Sequence, residues 1–302
     1  MSARWKENRE IAKRVVIEGT LTLLTPARFG GGGDEHLTDM PLLRDQASGD
    51  PLLPGASIAG AMRSYLREWE MGYEKETPAR VEETFQELFG HVVEGEGVSA
   101  QEQQSLESFL IIEDAIAEKS GVAFRPGVKI DPKTRTVAYE EGKGGQLYDM
   151  ELLQAGTQFP LRFELALPDD EAQQQELLAG LAVPLAGFEG AEIGLGARKR
   201  RGFGECEVTN WQVQHYNLKD PKDLVDWIEG KGDNSKSGKP ILELLDVELP
   251  EDKRKRFTLE AHFQLKTSLL IGSGSGAEDD PETVHLQSQR LDADEPTPIL
   301  SG

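Results

Sequence analysis

The segment Arg14 to Gly30 recurs without a gap as Arg256 to Gly272. Glu18 falls on Glu260, Leu23 on Leu265, Thr25 on Thr267 and Gly30 on Gly272. Both copies alternate in polarity. Val15, Ile17, Leu21 and Leu23 oppose Glu18, Thr20 and Thr22, and Phe257, Leu259, Ala261, Phe263 and Leu265 oppose Thr258, Glu260, His262, Gln264 and Lys266. A period of two is that of a half-buried β-strand. The order continues downstream, where Pro51-Leu-Leu-Pro-Gly55 returns as Pro298-Ile-Leu-Ser-Gly302. The repeat predicts two tandem units. The second reaches only the point where the helix of the first begins, so the reading expects it to be completed by further chain or by another polypeptide.

Between the first strand and its helix lies a run of glycines, Gly30 to Gly33, then a polar loop containing Asp39 and the apolar segment Met40 to Leu43. Pro54-Gly-Ala-Ser57 opens a helix predicted over 57–69, with Ser57 as a candidate N-cap. Ile58, Met62, Tyr65, Leu66 and Trp69 recur on one helical face, and Arg63 and Arg67 lie on another. Side-chain-free amides beside a helix N-terminus suit a phosphate, because unpaired N–H groups and the helix dipole converge there. An ordinary surface loop before a helix is the competing reading.

Further along, Val128–Ile130 and Thr136–Tyr139 flank an Asp131-Pro-Lys-Thr134 turn and predict a hairpin carrying Arg125, Lys129, Lys133 and Arg135. Pro160 to Leu167 alternates as a strand. Asp169 or Asp170 is placed to cap a helix through Leu177, Leu178 and Leu181, and a strand is expected over 205–214. Just before that strand sits Arg198-Lys199-Arg200-Arg201, bracketed by Gly194, Gly196, Gly202 and Gly204. Consecutive cations repel one another unless an anion lies near, and neutralising phosphates releases counterions. A dinucleotide fingerprint is a poor fit, because this loop enters a strand and that motif opens a helix. The order strand, helix, hairpin, strand, helix, strand predicts an α+β, ferredoxin-like (RRM-type) domain. The boundaries read 1–216 for the first domain, with an acidic insertion at 81–118 and a hairpin at 124–148. Residues 217–252 read as a linker with one short helix near 224–228, and 253–302 as the start of the second domain. Short helices are expected at 84–89 and 105–112.

Charge sharpens the functional question. The net charge is −21, whereas nucleic-acid binders usually carry a basic excess. The acid is concentrated, since 81–118 holds no Lys or Arg but includes Glu82, Glu83, Glu87, Glu94, Glu96, Glu113 and Asp114. That block reads as a solvated face away from any polyanion. One cysteine, Cys206, excludes an internal disulfide and a multi-cysteine metal site. No apolar run approaches membrane-spanning length and the N-terminus lacks an apolar signal region, so the expectation is a cytoplasmic protein without membrane contact.

The series of glycine loop, Asp39 and Pro51-Leu-Leu-Pro-Gly-Ala-Ser-Ile-Ala-Gly-Ala-Met-Arg63 resembles the N-terminal signature of the RAMP superfamily, and within it the Cas-seven-type backbone subunits of type III CRISPR effectors. With the repeat, the chain looks like a tandem, type III-D-like fusion. The resemblance implies guide crRNA held along the glycine loop and first helix, a thumb at the hairpin, and partners in target RNA and neighbouring RAMP-type subunits. Ser57 and Arg63 match the pattern. Ala59 and Ala61 stand where many relatives carry Lys, which shifts the expected RNA contact towards Arg198, Lys199, Arg200 and Arg201, with Lys129 and Arg135 on the thumb. Asp39 matches the aspartate that serves metal-dependent RNA cleavage, implying an endoribonuclease using Mg2+ or another divalent cation. In the second copy, Ser288 stands at the corresponding place if His36 and His285 are aligned. A non-catalytic scaffold of the same complex is the alternative, and a stand-alone RNA-processing endoribonuclease ranks last.

Overall fold

The computed structural model describes residues 10–30, 41–73, 79–92, 105–128, 131, 133–136, 139–140, 144–145, 147–232, 235–272, 284–288 and 290–300. In chain order its main elements are β1 (Ile11–Leu23), α1 (Gly55–Met71), α2 (Ala79–Phe89), β2 (Leu110–Ile112), β3 (Val122–Val128), β4 (Leu147–Leu153), β5 (Gln158–Pro168), α3 (Glu171–Glu189), β6 (Cys206–Asn217), α4 (Pro221–Ile228), β7 (Lys236–Ser237) and α5 (Ile241–Leu245). Among the described residues, no helix is long and apolar enough to cross a membrane.

The alternation of the first repeat copy becomes the middle of an antiparallel sheet ordered β7-β6-β1-β5-β2. Ile17 faces Phe163 of β5 on one side and Val213 of β6 on the other. Val15, Ile17, Leu21 and Leu23 are fully buried. The register shifts between Glu18 and Thr20 against β6, and Gly19 sits at that irregularity. A Cβ there would lie 2.7 Å from the Trp211 ring, so only glycine lets the strand pass. α1 and α3 cover the buried face with Ile58, Met62, Leu66, Leu177, Leu181 and Phe188, against Phe159 and Phe163. The opposite face is polar. Arg162 bridges Glu18 at 2.6 Å and Glu113 at 3.0 Å, and Arg14 pairs with Glu164 while lying over the Trp227 ring of α4.

Several expectations change in detail. The α1 N-cap is Pro54, not Ser57, and no side chain of the cap residue bonds the helix. Ser57 lies inside the first turn, its N–H donating to the Pro54 carbonyl at 2.9 Å. The cap comes from far away, since Asp114 Oδ1 accepts the Gly55 N–H at 2.7 Å. α3 is capped by Asp170, which accepts from the Ala172 and Gln173 amides. Residues 105–106 and 110–112 are strands rather than a helix, because Leu110 to Ile112 pair with the open edge of β5. The hairpin ladder is β3 against β4, in which Val128 of the expected strands pairs with Leu147, while Lys129, Ile130, Val137 and Ala138 lie outside the described residues; in the turn between, Asp131 Oδ1 accepts from Lys133 N.

Residues 217–252, read from composition as a linker, carry α4, β7 and α5. Ile241, Leu244 and Leu245 are buried against α3 and β6. The chain then returns to α1. Trp69 Nε1 donates to Pro250 O at 3.0 Å, and Lys253 N to Trp69 O at 3.0 Å. The Arg254 guanidinium lies 4.6 Å from the Tyr65 ring and 4.5 Å from the Trp69 ring, and bonds Asp252 and Glu192. Its side chain is 3% exposed. Beyond this anchor the second repeat copy is not a strand. Phe257 and Phe263 are 89% and 87% exposed, and among the described residues no strand pairs with 256–265. β1 acquires its form from partners on both edges, and among the described residues nothing equivalent to β5 and β6 flanks 256–265. Further on, Leu291 N donates to Ala155 O at 2.9 Å and Arg290 to Leu24 O at 2.8 Å, back on the first unit.

Leu244 tests whether α5 belongs to the core. Leu244→Ala is expected to cost about 2–5 kcal/mol in chemical denaturation, as for a buried leucine. A residue of a solvated linker would change stability by no more than about 0.5 kcal/mol.

Candidate nucleic-acid interface

Past β1 the backbone continues as a hub. Ala27 exchanges hydrogen bonds with Leu153 at the base of the β3–β4 hairpin, Arg28 O accepts from Ala197 N at 3.0 Å, and Phe29 O accepts from Leu43 N at 2.8 Å. One short segment therefore joins the hairpin, the Gly194–Gly204 loop and the return strand of the glycine loop. Gly30 bridges Leu42, which closes the stem of that loop. Leu42 N is further fixed by Glu151 Oε2 at 2.9 Å.

Around this hub lies a groove of about 500 Å3. The exposed face of α1 gives one wall, with Ser57, Gly60, Ala61 and Ser64. Gly194, Gly196, Ala197 and Lys199 give the other, and Arg28, Phe29, Gly30 and Leu43 lie between. Among the described residues, no carboxylate lines it. The close approach of the loop to the hub depends on two glycines. Gly196 has φ +83 and a Cβ there would lie 2.6 Å from Arg28 O, and Gly204 has φ +76 and a Cβ there would lie 1.8 Å from Leu195 O. A larger hollow of about 910 Å3 lies elsewhere, between α3, β6 and α5. Its lining includes Lys236 but also Asp246 and Glu248, so it lacks the single-sign character of the groove.

The basic tetrad folds as Arg198 in a left-handed conformation (φ 62) followed by a 3-10 turn over Lys199–Arg201. Among the described residues, Lys199, Arg200 and Arg201 form no ion pair. Two cations from elsewhere in the chain join the tetrad. Burial, then repulsion from Arg198, lowers the pKa of Arg28 from its usual value, and burial, then Arg198 and Arg201, lowers that of Arg125 on β3. Guanidiniums from two distant segments thus come near Arg198, and that of Arg125 also comes near Arg201. Such a cluster suits a polyanion.

The expected site residues separate accordingly. Ser57 and Lys199 line one groove, and Arg198, Arg200 and Arg201 flank it. Arg63 is exposed on α1 but is not a lining residue, and Arg135 lies in the hairpin tip with φ 56. Asp39 and Lys129 lie outside the described residues. The helix N-terminus is already served by the Asp114 carboxylate, so the dipole end expected to hold phosphate carries a resident anion. Arg28 and Arg125 were visible in the sequence only as scattered charges, and nothing in their spacing signals that they meet. Cys206 offers no nucleophile, since burial pushes its thiol up to about 12 and it donates to Ile193 O.

Fold and groove together define a mixed α/β protein with an antiparallel sheet and a cationic cleft beside a glycine-rich loop. The chain belongs to the RAMP superfamily, whose family model matches residues 20–207. It is also similar to the CRISPR system Cms endoribonuclease Csm3 of Enterococcus italicus, at 41% identity over 56 residues. That stretch covers 18% of this chain and 26% of the relative, so the match spans about a quarter of the relative's length.

The loop geometry makes Gly204→Ala a direct test. Positive φ and overlap with a backbone oxygen act together, so the loss of stability is expected to exceed about 1 kcal/mol. Thermal melting at matched pH reads it, and an unchanged midpoint would contradict the described packing of the loop against Leu195.

Proposed function

We propose that the chain is a backbone subunit of a type III CRISPR RNA-guided effector complex, of the Cas-seven type, and binds guide crRNA in the groove between α1 and the Arg198–Arg201 loop. The observation that carries the reading is that groove, where the glycine-loop stem, an uncharged helix face and a cation cluster meet in a member of the RAMP superfamily. The strand order supports a ferredoxin-like core: taking β1, β2, β5 and β6 as first to fourth, it is 4-1-3-2 with a helix after the first and third. The gap-free repeat supports a tandem, type III-D-like arrangement, with 253–302 opening a second unit. Target RNA pairs with the guide, so base pairing supplies specificity while the protein grips backbone and shape. Other RAMP-type subunits extend the filament, and the complex is cytoplasmic.

Cleavage of the target is assigned to Asp39. Gly30 and Leu43, one on each side of the loop that holds Asp39, line the groove. Among the described residues, no group of three or more His, Cys, Asp or Glu side chains is gathered to hold a metal. A donor set of Asp39, water and RNA phosphate oxygens is acceptable to a hard cation such as Mg2+, which takes few protein ligands. Such a cation supplies electrostatic stabilisation of the charge developing at the scissile phosphate. The chain's own contribution is to hold the strand, with Arg198 to Arg201 neutralising phosphates and the small α1 face admitting the backbone closely.

Replacing Arg198, Lys199, Arg200 and Arg201 together by Ala is expected to weaken RNA retention and reduce the salt slope by roughly one unit per lost contact. Unchanged RNA content across a salt series would assign the loop to solvent.

Asp39→Ala separates nuclease from scaffold. Folding, assembly and target binding should persist, one cut in end-labelled target RNA should disappear, and cuts made by neighbouring domains should remain. Chelating the metal should suppress the same band, and Ser288→Ala should change none. A ladder identical to wild type would make the domain a scaffold.

A further inference from the structure

The cation cluster holds one feature that phosphate binding alone does not call for, an aromatic ring against one of its guanidiniums. Phe203 lies between Gly202 (φ +75) and Gly204 (φ +76) and is half-buried. The Arg125 guanidinium lies 5.4 Å from its ring centroid. Arg125 comes from β3, while Arg198 and Arg201, whose charges add to burial in lowering its pKa, come from the same loop as Phe203. Charge neutralisation needs cations only. A half-buried ring against a guanidinium, on a loop that carries further cations, is the combination by which proteins grip single strands, stacking bases while cations track the backbone.

We propose that Phe203, backed by Arg125, is a stacking platform for one nucleobase of a single-stranded RNA whose flanking phosphates lie on Arg198 and Arg201. This rests on the RNA-binding reading above and adds to it a base-dependent contact. Stacking tolerates any base, because every base offers a π-face, so the platform contributes affinity and position rather than sequence choice. The competing role for the ring is a brace that holds the hairpin against the loop.

The test uses the full 302-residue chain in fluorescence anisotropy with a short labelled single-stranded RNA and an abasic strand of equal length. The abasic strand keeps every phosphate and ribose and lacks bases. The wild type should prefer the RNA. Phe203→Leu should weaken RNA binding about fivefold or more while leaving the abasic affinity and the salt slope at wild-type values, and Phe203→Trp should retain the preference. Equal loss on both strands, or no loss on either, would make the ring a brace and overturn the proposal. Melting curves report folding, and if the leucine variant melts early, loss of the base preference in the folded Trp variant overturns it instead. Failure of the wild type to bind RNA, or a salt slope indifferent to the quadruple Ala replacement, would overturn the RNA-binding reading and this inference with it.

Discussion

The hydrogen-bonding of β1 along both edges is the constraint on which the rest depends. Pairing with β5 and β6 satisfies the backbone on each side, leaving the side chains to divide between core and polar face. Because β1 is central, its continuation through Ala27 to Gly30 emerges where hairpin, basic loop and return strand can all bond to it. The site follows from strand order rather than from any one motif. The second repeat copy makes the same point from the other side. With nearly the same alternation but no edge partners among the described residues, it forms no strand and exposes Phe257 and Phe263. Pattern provides an amphipathic strand, and partners make it a sheet.

The charge distribution shows how a strongly acidic chain can hold a cationic site. Net charge governs solubility and long-range steering, while a cleft is governed by the groups within a Debye length, about 10 Å at moderate salt. The acidic insertion is not merely solvent-facing. Asp114 reaches the first amide of α1, and Glu113 pairs with Arg162 on the polar face of the sheet. Acid in that block fastens the helix and strands that set the groove walls, away from the groove lining itself.

What was legible in the sequence was local. The alternation of Arg14 to Leu24, the apolar spacing of Ile58, Met62 and Leu66, and the Asp170 cap all declare themselves within a few residues, and each is where expected to within a turn. What was not legible depends on distance. Residues 110–112 are too short and apolar to separate strand from helix without knowing that the β5 edge lies open. The cap of α1 sits on Asp114, so Ser57 looked like the better candidate. Ile241 to Leu245 looked like linker because its neighbours are polar, and only the contact with α3 makes it core. In the site, the Arg198–Arg201 run was plain, but Arg28 and Arg125 join it through the fold alone.

The Arg254 anchor on Tyr65 and Trp69 gains meaning when set beside the Leu291–Ala155 hydrogen bond. Together they pin both ends of the segment that carries the second repeat strand, so that segment is a closed tether and not a free tail. A closed tether has already lost part of its chain entropy, and the further cost of ordering it grows only slowly with its length. Ordering Phe257–Leu265 against partner strands would therefore start from a segment already held at both ends, at a smaller entropic cost than for a free tail.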